Sequence, residues 1–471
     1  MINDSRRDFI KAAFASAATP LFLSPDMLQN AVAAVSNSKT QKHFVGVQLD
    51  PEAVQKRDPK LLCKEITGLA PVNAFIYFFK DVDVKSGRGH TGGTEFSREQ
   101  ALLDTHGNDT IDRLHKAATE HGVDIYMGGG ELYWGDCGRF QQACQVDCFG
   151  QSRKTSCVNK PEWRAFQKAA HADLFHEHPY LAGFMFMHER SGPMRTVFKP
   201  EDWNGVFNPG CFCETCCKLG EKRGIDPQQA RKGFQRLVRL YKDSPEDELR
   251  DGAMVALWRL LGEYPILAWE SFQWDSIHSY RAELAEAMRK AGKGISIGCH
   301  FQHSASSADL PWRAGEDPRK AKAYADWVKP SVYPGCSGSR YKNMLDKARE
   351  TYLRDCDEQT AHQVLSAWFS RSPENGREML GTHGKEQAAF GPDWVKSEVR
   401  RFVKSADPLP TYAGLGIGIP GGEKADTVEL ITECTKACYE GGADGILISR
   451  HYSEMPADQF RACGDVIRKH M

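Results

Sequence analysis

The sequence predicts an α/β fold: a closed (β/α)8 barrel with long cysteine-rich loops after its third and fourth strands. Three observations predict it. Eight short apolar, β-rich runs recur along the chain, and helical patterns lie between most of them. Most runs are too apolar to be half-exposed antiparallel strands, which marks a parallel sheet covered on both faces. The Gly-rich dinucleotide loop of an open doubly wound sheet is missing after the first run, where Asp50-Pro51-Glu52 stands instead. A chain of 471 residues is long enough for one such barrel.

In chain order the expected strands are Phe44–Asp50, Val72–Asp81, Val123–Glu131 and Leu181–Glu189, then Gly294–Gln302, Val328–Gly335, Tyr412–Pro420 and Gly445–Tyr452. The expected helices are Asp104–His121, Lys160–His178, Asp251–Ala291 (one broken helix or two), Asp317–Trp327, Arg340–Gln359, Asp393–Lys404, Thr427–Gly441 and Asp458–Lys469. The run Pro265–Asp275 competes as a ninth strand. Its Trp269 and Phe272, with Ser276 and Tyr280 beyond, recur at roughly helical spacing, so it reads as helix. That reading keeps Glu270 outside the main site; as a strand residue Glu270 would rival the catalytic carboxylates.

Charge excludes some partners. Lys and Arg number 61 and Asp and Glu 62, a formal charge of -1, so no long-range field draws nucleic acid or anionic lipid. No zinc-finger spacing or basic aromatic stripe appears, so nucleic acid is not an expected partner. Residues 5–11 read SRRDFIK and precede a short, weakly apolar stretch, Ala12 to Leu23, with Ala31-Val32-Ala33 as a small-residue cleavage site. The pattern resembles a bacterial twin-arginine signal. It implies the twin-arginine export machinery as a partner and a periplasmic or secreted location. No stretch approaches 18 apolar residues, so no stable membrane anchor is expected. The expected organisation is a signal over 1–33 and one barrel domain over 34–471, with loop insertions at 132–160 and 190–250.

Barrel chemistry sits where strands end and βα loops begin. The first strand ends in Asp50, the second in Lys80 and Asp81, and the third runs into Glu131 and Trp134. The fourth ends in His188-Glu189-Arg190 and the fifth in His300 and Gln302. The sixth supplies Tyr333, the seventh Glu423 after a Pro-Gly-Gly turn, and the eighth Arg450, His451 and Tyr452. Glu189 stands first among the catalytic candidates. It follows the apolar run GFMFM, where desolvation would raise its pKa toward that of a general acid. Glu131, Glu423 and Asp81 are the other catalytic carboxylates. Lys80, Trp134, His188, His300, Tyr333, His451 and Tyr452 are the substrate-binding candidates. Each has a plainer reading as a barrel-top salt bridge, a loop acid or a packing residue. No HExxH occurs, and no catalytic cofactor is expected.

Of 15 cysteines, eight fall in the two long loops. Cys137, Cys144, Cys148 and Cys157 follow the third strand; Cys211, Cys213, Cys216 and Cys217 follow the fourth, in NPGCFCETCC. One shared site for structural zinc or an Fe–S group, or a set of disulfides, are the alternatives. In each the role is to pin the loops, not to catalyse.

The run CFCETCCKLGEKRGID, after a strand ending in HE, resembles a segment of bacterial barrel proteins described as glycoside-hydrolase-like. The resemblance spans roughly residues 42–470 and implies carbohydrate hydrolysis without naming the sugar. It implies a catalytic carboxylate at the end of strand four, here Glu189, and a second ending strand seven, which points to Glu423. An exported glycoside hydrolase acting on an oligo- or polysaccharide by paired carboxylates is the expected function. The alternatives are another barrel enzyme (lyase, isomerase or metal-assisted hydrolase) and a noncatalytic polysaccharide-binding barrel.

Overall fold

All eight apolar runs form strands, and the strands close on themselves. In a computed structural model, β1 (Phe44–Leu49), β2 (Ala74–Phe78), β3 (Asp124–Gly129) and β4 (Gly183–Phe186) are followed by four more. These are β5 (Ser296–Phe301), β6 (Trp327–Val332), β7 (Tyr412–Leu415) and β8 (Gly445–His451). Each pairs in parallel with its sequence neighbours, and β8 returns to β1 to close the barrel. The structure describes residues 43–78, 108–129, 141–187, 194, 210–242, 250–301, 314–368, 390–419 and 426–471. Thr40–Met471 form one compact unit. Among the described residues, no helix is long and apolar enough to cross a membrane.

Side chains alternate along each strand, so one set lines the barrel and the other meets the helices. The outward set, including Val45, Val47, Phe75, Phe184 and Val328, belongs to the main core between strands and helices. The inward set begins with a closed apolar layer at the strands' N-terminal ends: Phe44, Ala74, Ile76, Tyr126, Met185, Trp327, Tyr412 and Leu447. Phe44 stacks on Tyr412 with ring centroids 4.2 Å apart, and Trp327 meets Phe44 at 5.4 Å. This end of the barrel is a packed plug.

Several helices depart from the sequence reading. Two early ones, Pro51–Lys56 and Pro59–Leu69, were not expected; each starts with an Asp cap followed by Pro, a strong start signal. The expected Asp317–Trp327 helix shrinks to Pro318–Ala321, because Trp327 is claimed by the barrel interior as the first residue of β6. The Arg340–Gln359 pattern is split between Pro334–Glu350 and Glu358–Trp368. Asp251–Ala291 is two helices, Ala253–Glu263 and Ile266–Ala291, parted at Tyr264-Pro265. The second contains Pro265–Asp275 beyond its first residue, so Glu270 is helical. Its carboxylate accepts from the Trp274 indole and the Met194 amide, each at 2.7 Å, fastening the loop after β4 to this helix.

The insertions carry structure of their own. The first holds an antiparallel hairpin, Cys144–Val146 against Ser152–Ser156. The second holds helices Glu214–Lys222 and Pro227–Lys242.

Candidate functional site

Above the apolar plug the inward positions turn polar. The residues sharing the Trp327 face are Lys329 and Ser331 on β6 and Tyr333 just beyond it. Lys329 has 0% exposure, and its ammonium donates to Ser331 Oγ at 3.4 Å and to the Tyr333 hydroxyl at 3.3 Å. His300, inward on β5, pairs through Nδ1 with Ser331 Oγ at 3.3 Å. Gln48 from β1, whose amide lies 3.9 Å from the Met187 sulfur, and Ser449 from β8 are also buried. Space for Lys329 and Tyr333 comes from Gly414 on β7 and Gly416 just beyond it. A Cβ on Gly414 would stand 2.1 Å from Lys329 Cε, and one on Gly416 would stand 2.5 Å from the Tyr333 ring.

Electrostatics separate Tyr333 from the other inward tyrosines. Burial pushes the phenols of Tyr126 and Tyr412 up, as desolvation does to any acid. At Tyr333 burial acts the same way but is outweighed by Lys329 and by hydrogen bonds from Ser331, Lys329 and Ser449, so the phenol lies below its ordinary value. The Arg340 guanidinium also lies over its ring, 5.7 Å from the centroid.

The structure brings two of the expected substrate-binding residues, His300 and Tyr333, into one network. The His451 ring stands edge-on to Phe78 at 4.9 Å, and its backbone amide donates to the Glu454 carboxylate at 3.4 Å. Tyr452 is turned into the outer core and donates to Glu65 at 2.6 Å, a fastening of the final loop. Asp50 caps the Pro51–Lys56 helix through Ala53 N at 2.7 Å and accepts from Ser453 at 2.6 Å. Glu189, Glu131, Glu423, Asp81, Lys80, Trp134, His188 and Cys137 lie outside the described residues. Lys329 was missed by the sequence reading. A lysine inside the apolar strand WVKPSV was the available signal, because an ammonium there must be buried or bent away.

Four of the eight loop cysteines converge. The sulfurs of Cys157, Cys211, Cys213 and Cys216 lie within 4.8 Å of one another, all buried. The Cys157 sulfur is 3.4 Å from Cys216 and 3.8 Å from Cys213. Four thiolates about 2.3 Å from one tetrahedral ion stand about 3.8 Å apart, so the spacing fits a single ion. A disulfide needs about 2.05 Å. Cys213 caps the Glu214–Lys222 helix, where the helix dipole favours a thiolate. Hydrogen bonds from Cys157, Cys211 and Cys216 hold it far below the usual thiol range. Asn159 donates to Cys216 Sγ at 3.3 Å as an outer support. Behind the cluster, Phe212 stacks on Trp269 at 4.7 Å, joining the loop to the Ile266–Ala291 helix.

The four join the two loops, and among the described residues the other loop cysteines stay out of the group. Cys217 donates to the Phe212 carbonyl at 3.4 Å, and burial pushes the Cys148 thiol up to about 12. Neither Cys148 nor Cys217 joins the four-sulfur group, nor does Cys144.

No family model matches the sequence, and no curated protein matches it. Solved structures do share the fold. The β-galactosidase of the Antarctic haloarchaeon Halorubrum lacusprofundi superposes with a TM-score of 0.54 at 12% identity, over 90% of this chain and 58% of its own. That of the psychrophilic Marinomonas ef1 gives 0.52 at 10% identity, over 91% and 59%. The chain therefore spans under two thirds of the length of these β-galactosidases. At such identity the likeness is one of fold: a (β/α)8 barrel of the kind found in glycoside hydrolases.

Proposed function

We propose that this chain is an exported glycoside hydrolase whose reaction takes place at the C-terminal mouth of the barrel. The observation that carries the reading is the change of the barrel interior from a closed aromatic plug to the hydrogen-bonded layer of His300, Lys329, Ser331 and Tyr333. Polar groups held on rigid strand ends are what a sugar site requires. Glu189 is the proposed general acid, and Glu423 the second carboxylate, with Glu131 and Asp81 behind it.

Strand alternation favours Glu189 over Glu131 and Asp81. Glu189 has the parity of Met185 and Met187, which pack on the inner cluster. Glu131 has the parity of Ile125 and Met127, and Asp81 that of Phe75 and Tyr77, all of the outer core. A panel of oligosaccharides with product analysis tests the reading. Release of a new reducing end from at least one glycan is expected. A folded, metal-replete protein that cleaves none of them would overturn it.

We also infer a structural zinc on Cys157, Cys211, Cys213 and Cys216. Such an ion would tie the two insertions together and leave the reaction to the barrel mouth. Elemental analysis is expected to find one zinc per chain, with the four thiols becoming reactive on chelation. Metal-free protein with these four thiols already reactive, or joined as disulfides, would contradict it. Export is tested by Arg6→Lys/Arg7→Lys, which is expected to retain the protein in the cytoplasm; unchanged export would remove the twin-arginine reading.

A further inference from the structure

Lys329 is a charge in an unusual place. It lies wholly inside the barrel, and no carboxylate among the described residues pairs with it; its partners are two hydroxyls. A buried ammonium normally requires a counter-charge or loses its proton. Among the described residues, the neighbour able to become an anion is Tyr333, four residues nearer the mouth on the same face. Gly414 on β7 and Gly416 just beyond it stand where a Cβ would crowd Lys329 and the Tyr333 ring respectively.

The other groups around Tyr333 favour the same assignment. Arg340, from the helix that Tyr333 caps, lies over its ring. Ser449 reaches it from β8, and Ser331 links it to His300 on β5. Cys336, on the same helix, is itself pushed up to about 11 by burial and stays a neutral thiol. Just beyond β7, Gly416 and the apolar Ile419 pack against Tyr333.

We propose that Lys329 is a positioning residue that holds the Tyr333 hydroxyl as an anionic, proton-accepting group on the floor of the barrel mouth. This rests on the glycosidase reading for its purpose. A phenolate there would face the positive charge that develops at the anomeric carbon in an oxocarbenium-like transition state, and would stabilise it without forming a bond. Burial pushes eight other described tyrosines up, so their ionisation does not mask that of Tyr333.

The test is an ultraviolet tyrosinate titration of the whole protein, which needs no substrate. Wild type minus Tyr333→Phe is expected to show one tyrosinate forming below pH 10, the ordinary tyrosine value. In Lys329→Met, checked for fold by circular dichroism, that phase is expected to move above pH 10. Wild type and Tyr333→Phe titrating alike below pH 10 would overturn the proposal, and so would a phase that Lys329→Met leaves in place. If Lys329→Met does not fold, the Tyr333→Phe comparison decides by itself. Once a cleaved glycan is known, Tyr333→Phe should lower kcat at least tenfold with little change in KM. A failed glycan panel beside a positive titration would count against the hydrolase reading and leave the Lys329–Tyr333 pair standing.

Discussion

At the lower end of the barrel, Phe44, Tyr126, Trp327 and Tyr412 pack ring against ring, and burial pushes both phenols up. Two to six residues further along the Trp327 face of β6, burial meets Lys329, Ser331 and Tyr333, and the phenol moves the other way. The side chains of both layers are buried. What differs is the neighbour: rings below, an ammonium and hydroxyls above. Burial alone therefore does not decide the chemistry of an inward tyrosine, and one strand can carry both environments.

The largest expected effect is on the lower end. Trp327→Ala removes the ring that Phe44, Tyr126 and Tyr412 all touch. It should cost about 3–5 kcal/mol in urea unfolding. A loss below about 1 kcal/mol would mean that the plug is not what holds the barrel shut.

Acid sensitivity of the fold should arise outside both layers. His278, on the Ile266–Ala291 helix, is pushed down to about 4 by burial and the nearby Arg281, and it bonds to Tyr324 and the Gly315 carbonyl. The unfolded chain binds this proton from about pH 6.5 downward while the folded chain does not. Its contribution is thus complete above pH 6.5 and is lost as pH falls toward 4, by about 3 kcal/mol. Unfolding curves across that window should flatten in His278→Gln. An unchanged slope would send the search back to His300 in the polar layer.

A smaller effect separates the layers most finely. Gly414→Ala presses on Lys329 and should cost about 1–3 kcal/mol. Adding Lys329→Ala should return part of that loss, a coupling of about 0.5–3 kcal/mol. Additive losses would show that Gly414 does not cradle the lysine.

The fold was legible because a parallel barrel writes itself as repeated, wholly apolar runs, and each of the eight runs is a strand. The Pro59–Leu69 helix was not read, although Asp58-Pro59 marks its start. The site was legible only in part. His300 and Tyr333 stood at strand ends where a barrel keeps its chemistry, but Lys329 sits inside its strand, where a search of strand ends does not look. Tyr452 looked equivalent to Tyr333 by position, yet its ring joins the outer core and its hydroxyl reaches Glu65. The cysteine loops showed that a cluster existed but not its members, since Cys157 and Cys213 are 56 residues apart and only the fold brings them together.

The proposed chemistry is cleavage of glycosides at the polar mouth with Glu189 as general acid. Its most direct test is the turnover of wild type and Glu189→Gln on an unactivated glycan and on an activated aryl glycoside. The substitution keeps the shape and removes the transferable proton. A drop of roughly 100-fold or more is expected on the glycan, and a much smaller one on the aryl glycoside, whose leaving group needs little protonation. Equal turnover of the two proteins on the unactivated glycan would contradict the account.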